Sequence, residues 1–178
     1  MGNPIYPHII PVPTSIRRIA ESADRALAWH FFIFFARFEY ALKRDIRYLK
    51  AGNGDAEPNW DKYGSEHNSA FHPGSSTDLD TAVRYFLAEP PRKQLRKDSV
   101  MSWSEPQLYD GKEPLLIWLL RMIRCVRNNL FHGGKFPLIP ISDPSRDRDI
   151  LLMAITILNA SLLLDREVEA RFAEGLDE

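Results

Sequence analysis

Arg121, Arg124, Arg127, Asn128 and His132 recur at helical intervals in a stretch that is otherwise apolar. At about 100° per residue, Arg121, Arg124, Asn128 and His132 fall within an arc of roughly 80°, and Arg127 lies about 60° beyond Arg124. Asn128 and His132 stand four apart and are neighbours on that face. Guanidinium groups crowded beside an imidazole repel one another, and a phosphate with paired acceptor oxygens would relieve the repulsion. An imidazole ordinarily titrates near neutrality, so His132 can serve as general base or acid. The negative end of the helix dipole favours its charged form while the arginines oppose it. Lys135 follows as a further phosphate-binding candidate.

The helix that carries these groups has legible ends. Glu113-Pro114 opens it, since proline is tolerated in a first turn, and Gly133-Gly134 closes it. Leu116, Leu119, Leu120, Ile123, Val126 and Leu130 fill its other side, so it can bury one face and present the other. Upstream, Thr14 and Ser15 begin a helical spacing that runs to about Lys50, with Leu27, Phe31, Phe34, Phe35, Phe38, Leu42, Ile46 and Leu49 in one stripe. Phe31 to Phe35 is apolar on every side, which implies a second contact surface. Asp143-Pro144 starts a last long helix continuing toward Phe172. Thr77 or Asp78 caps a short helix through Leu87, ended by Pro90-Pro91. No strand pattern of comparable strength is present, so the expected fold is an all-α bundle: two long core helices, a motif helix and a long central loop insertion. Residues 1–13 read as an extended proline-containing arm, and 14–178 as a single domain with loop-rich insertions at about 51–77 and 88–112.

The whole chain narrows the function classes. Its 178 residues, 44% of them hydrophobic, can fill a real core, which argues against disorder. With 23 Lys and Arg against 24 Asp and Glu, any contact with nucleic acid must be local. Cys125 is the single cysteine, so neither an internal disulfide nor a thiolate metal cluster can form, and a reducing cytoplasm suits the chain. The N-terminus does not read as a secretory signal. Its longest apolar runs, Ala26 to Ala36 and Ile150 to Leu158, fall short of the roughly 20 residues that span a bilayer, so no membrane partner is expected.

Arg127-Asn128-Asn129-Leu130-Phe131-His132 resembles the motif of the HEPN superfamily, whose ribonucleases carry an Arg, usually a polar residue after it, and a His beyond about four to six positions. The resemblance extends to the aromatic first helix with Phe38-Glu39-Tyr40 and to the last helix beginning near Arg148-Asp149, about half of the chain, and leaves out Gly52 to Gly111. It implies metal- and cofactor-independent RNA cleavage, in which the 2′-hydroxyl attacks the adjacent phosphate and leaves a 2′,3′-cyclic phosphate and a 5′-hydroxyl. His132 would move protons, Arg127 would hold the phosphate, and Asn128 would orient either; Arg124, Arg121 and Lys135 would bind the RNA. It also implies a homodimer with motif helices facing each other, duty in toxin–antitoxin or phage defence, and an antitoxin or regulatory partner. Family members paired with nucleotidyltransferase antitoxins often have a tyrosine two residues after the His; here Gly134 stands there.

Blander readings stand beside each of these. Arg127 to His132 can be a polar helix end, with the Arg paired to a carboxylate and the His capping carbonyls. The same cleft can belong to a non-catalytic module that binds a nucleotide, an RNA or a protein. Glu39 is expected to pair with Lys43, four residues on, rather than with a motif arginine. Trp29 and the phenylalanines read as core rather than as base-stacking platforms. His67 and His72, with Asp61 and Glu66, lack a metal-ligand spacing. Arg92 to Lys97 can guide RNA or simply be solvated. Gly134-Lys135 is no phosphate-binding loop, because Asn129 replaces the required glycine and no Ser or Thr follows.

Overall fold

The computed structural model describes residues 24–131 and 144–175, and within them the chain is mostly helical. The elements in chain order are α1 (Arg25–Arg44), α2 (Trp60–His67), a 3₁₀ turn (Pro73–Ser75), α3 (Thr77–Ala88), β1 (Gln94–Lys97), β2 (Val100–Trp103), α4 (Leu115–Phe131), α5 (Pro144–Leu162) and α6 (Arg166–Ala173). α5 packs on α3 and α1, α2 lies along α4, and α6 covers α1. Among the described residues no helix is long and apolar enough to cross a membrane. The expected arm at 1–13 and the helix start at Thr14 and Ser15 lie outside the described residues.

Four expectations need correction. The first core helix does not run unbroken to Lys50. Asp24 is non-helical and caps α1 by accepting from the Leu27 amide at 3.0 Å, and Asp45 ends it in an extended conformation. Ile46 falls in the following turn and is 83% exposed. The segment 51–77 is not merely loop: Asn59 accepts from the Lys62 amide at 3.0 Å and starts α2, which buries Trp60 and Tyr63. Its glycine has a packing reason, since a Cβ on Gly64 would stand 3.0–3.1 Å from atoms of Ile117 on α4. The segment 88–112 holds an antiparallel ribbon, Gln94 opposite Trp103 through Lys97 opposite Val100. Its two-residue turn, Asp98-Ser99, has both residues at positive φ, as a turn matching the strand twist requires. The last helix is broken: Asp165 accepts from the Glu167 and Val168 amides and starts α6 as a separate piece.

The core joins these elements through aromatic side chains. Phe35 and Phe38 of α1 meet Trp60 of α2 with ring centres 5.3 and 5.2 Å apart, and Tyr63 meets both Phe38 and Tyr48. The second surface expected for the phenylalanine run exists: Phe34 reaches Phe172 of α6 at 4.9 Å, and Phe32 reaches Phe131 of α4 at 4.9 Å. The cap of α3 is Ser76, not the expected Thr77 or Asp78, and Thr77 is already its first helical residue. The Glu39–Lys43 pair forms at 3.0 Å.

Candidate functional site

The motif helix α4 changes character along its length. Up to Val126 it is buried on nearly every side, through Leu116, Trp118, Leu119, Leu120, Met122, Ile123, Cys125 and Val126. Only the last turn opens, with Asn128 and Phe131 exposed and Arg127 between. Pro114 has no side chain to cap the start, and its carbonyl accepts from Trp118; the free amide of Leu116 is taken instead by the Asn68 side chain at 3.1 Å. A distant asparagine therefore fixes where α4 begins and, with it, where its chemistry-bearing end emerges.

At that end Arg127 has no carboxylate partner among the described residues. Its guanidinium carbon lies 5.8 Å from the centre of the Phe35 ring and 5.5 Å from that of Phe131, and one nitrogen donates to Asn128 Oδ1 at 3.0 Å. Both ring distances are in the range of cation–π attraction. Asn128 thus orients Arg127 among the described residues. Phe131 continues through Phe32 to Trp29, whose ring lies 5.4 Å from Phe32 and whose residue is 63% exposed. Trp29 is therefore not a core residue, contrary to the helical-spacing expectation: it is largely exposed on α1, with Phe32 as its aromatic neighbour among the described residues.

The other arginines behave differently. Arg121 is forked by Glu113, with one bond of 2.9 Å and a second, shorter one. Arg124 stands 3.7 Å from Asp61 at the start of α2, a loose pair with both side chains well exposed. Of the expected polar stripe, the structure brings Arg127 and Asn128 together, leaves Arg124 one turn away and ties Arg121 back toward the start of its own helix. His132, Lys135 and the Gly133-Gly134 stop lie outside the described residues. Asn129 does a task that spacing could not show: its amide nitrogen donates to the Arg92 carbonyl at 2.8 Å, pinning the root of the β-ribbon to the last turn of α4. Cys125 faces the same carbonyl at 3.4 Å, and burial pushes its thiol above the ordinary range, so it is a poor nucleophile.

A second cluster of ionisable groups, at the junction of α1, α2 and α6, invites a catalytic reading and does not fit one. Tyr48 Oη lies 2.9 Å from His67 Nε2 and donates to Asp165 Oδ2 at 3.1 Å. Arg47 forks Asp45 at 3.0 and 2.7 Å and reaches Asp165 at 3.2 Å. The acceptor positions of Asp165 are filled by two backbone amides, Arg47 and Tyr48. Burial raises the acid's pKa, but these hydrogen bonds outweigh it and hold Asp165 below the ordinary carboxylate range; the Arg47 fork does the same for Asp45. Burial pushes the Tyr48 phenol well above its usual range. The carboxylates have no capacity left for a substrate. No set of three or more His, Cys, Asp or Glu side chains placed to hold a metal ion occurs among the described residues.

No family model, curated protein or solved structure matches this chain. The site must therefore be read from its own geometry.

Proposed function

We propose that the chain is a metal-independent endoribonuclease of the HEPN type, working at the exposed end of α4. The observation that carries the reading is Arg127: a guanidinium without a carboxylate partner among the described residues, clamped between two rings and steadied by Asn128, on the turn that leads to His132. A cation kept preorganised and unneutralised is suited to a phosphate whose charge grows during the reaction. His132 would take the proton from the RNA 2′-hydroxyl or deliver one to the leaving 5′-oxygen, and Arg127 would stabilise the phosphorane between them. Arg124, with its loose partner, can release Asp61 and turn to the RNA; Arg121 can do so only if Glu113 lets go.

The same reading includes a homodimer, in which the apolar patch of Trp29, Ile33 and Phe131 beside Arg127 is where the second copy would sit and where the two motif helices would share one cleft. Toxin–antitoxin or phage-defence duty, with an antitoxin or regulatory partner, rests on the family resemblance alone. One preparation tests the proposal. Sedimentation should give a mass of two chains, and incubation with RNA in EDTA should give products ending in 2′,3′-cyclic phosphate. His132→Ala should lower the rate by about 10²- to 10⁴-fold. Undiminished cutting by that variant, or a wild-type chain that leaves RNA intact, would falsify the assignment.

A further inference from the structure

Most basic side chains of the described residues are neutralised by a neighbour: Lys43 by Glu39, Arg84 by Asp80, Arg121 by Glu113, Arg171 by Asp45. Apart from Arg25 and Arg166, at the starts of α1 and α6, the arginines and lysines with neither a carboxylate nor a carbonyl partner are Arg92, Lys93, Arg96 and Arg127. Among the described residues, the ribbon and the open end of α4 thus hold most of the uncompensated positive charge. They are also physically joined, by the Asn129 bond to the Arg92 carbonyl.

The ribbon itself is built to stand out from the helices. Its root is tied down: Ser104 donates to the Lys93 carbonyl at 2.8 Å, the Lys93 amide donates to Ser104 Oγ at 3.0 Å, and Pro90 and Pro91 just before it are buried. Beyond that root the strands pair mainly with each other, and apolar groups stay in water on both faces, Val100 at 66% exposure and Trp103 at 45%. By the pairing register, Trp103 shares a face with Gln94 and Arg96. An indole nearly half exposed on the face that carries Arg96 is open to a ligand. An indole offers a stacking surface to any base that is not already stacked, and the guanidinium offers a bidentate donor to phosphate. Two ribbons from two copies would bring like charges together, which disfavours self-association through this element.

We propose that the β1–β2 ribbon is a binding arm for single-stranded RNA, with Arg92, Lys93 and Arg96 along its phosphates and Trp103 stacked on one of its bases, leading the strand toward Arg127. The placement of the strand rests on the ribonuclease reading; the binding itself does not. The deep, narrow groove of duplex RNA would not admit side chains to its bases, so the arm should ignore duplexes. The test uses a fluorescent, uncleavable 2′-O-methyl oligonucleotide in EDTA, read by anisotropy over a salt series. Trp103→Ala should weaken binding about 5- to 150-fold. A double change, Lys93→Gln with Arg96→Gln, should flatten the slope of log affinity against log salt by about 1.4, or 0.7 for each lost phosphate contact. Binding undiminished in both variants, equal competition by a duplex, or no binding by the wild type overturns the proposal. A wild-type chain that binds through the arm yet cuts no RNA would overturn the ribonuclease reading and leave the arm standing.

Discussion

Two groups of charge sit on this molecule and are treated in opposite ways. At the junction of α1, α2 and α6, Asp45 and Asp165 are almost fully buried, and each charge is matched by Arg47, by Arg171 or by backbone amides. At the end of α4 and along the ribbon, Arg127, Arg92, Lys93 and Arg96 have no counter-charge among the described residues. Desolvating a charge costs several kcal/mol unless it is paired, so the first group has a role only as part of the folded state. The second group costs the fold little because water solvates it, which leaves it available to the RNA proposed above. Neutralised and buried charge serves structure; exposed and unneutralised charge is free for the proposed binding.

The largest way to break that comparison is to protonate both carboxylates of the first group together. Their pKa values lie below the ordinary one in the folded chain, so their contribution to stability is complete above about pH 4, the ordinary value. It fades as the pH falls through the depressed folded values. Circular dichroism across a pH series should therefore show unfolding only in strong acid, well below the neutral range in which an imidazole and any cleavage would titrate. A stability loss already present in the neutral range would show that these two carboxylates do not set the acid limit of the fold.

Removing one carboxylate is the next step down. Asp165→Ala deletes the α6 cap and takes one partner each from the buried Tyr48 hydroxyl, which keeps His67, and from Arg47 Nη2, which keeps Asp45, a cost of about 2 to 4 kcal/mol. Chemical denaturation should read this directly, whereas Arg127→Ala should stay within about 1 kcal/mol of the parent. If the two variants prove equally stable, burial has been given too much weight at the junction.

The sequence showed one of these regions far better than the other. The motif end of α4 was legible because its helix is long and periodic, with proline before it, and because Arg127 and Asn128 are adjacent in the chain. The junction was not, since Asp45, Tyr48, His67 and Asp165 come from separated segments and meet only through folding. α2 was hidden by its short length and by Gly64 and Ser65, although Asn59 as cap and the Trp60–Tyr63 step were there to be read. The ribbon was hidden because its turn is Asp98-Ser99 without a glycine. The break before α6 was marked by one residue, Asp165, inside an apolar run that periodicity alone carries through to Phe172.

Arg121 falls between the two groups and gives the smallest and sharpest test. Helical spacing puts it with Arg124 and Asn128 on the proposed phosphate-binding stripe, whereas the structure hands it to Glu113. That pair is partly exposed on both sides, so by its surroundings it is worth no more than about 1 kcal/mol. Glu113→Gln should therefore lower stability by less than that. It should also free a guanidinium on the open side of α4, and the salt dependence of oligonucleotide binding should steepen by about 0.7 if the strand passes over it. An unchanged slope would assign Arg121 to the fold, with Glu113 its structural partner and the RNA path confined to the last turn. A stability loss as large as that of Asp165→Ala would show instead that a half-exposed pair can behave like a buried one, and the division between structural and binding charge would have to be drawn by geometry rather than by exposure.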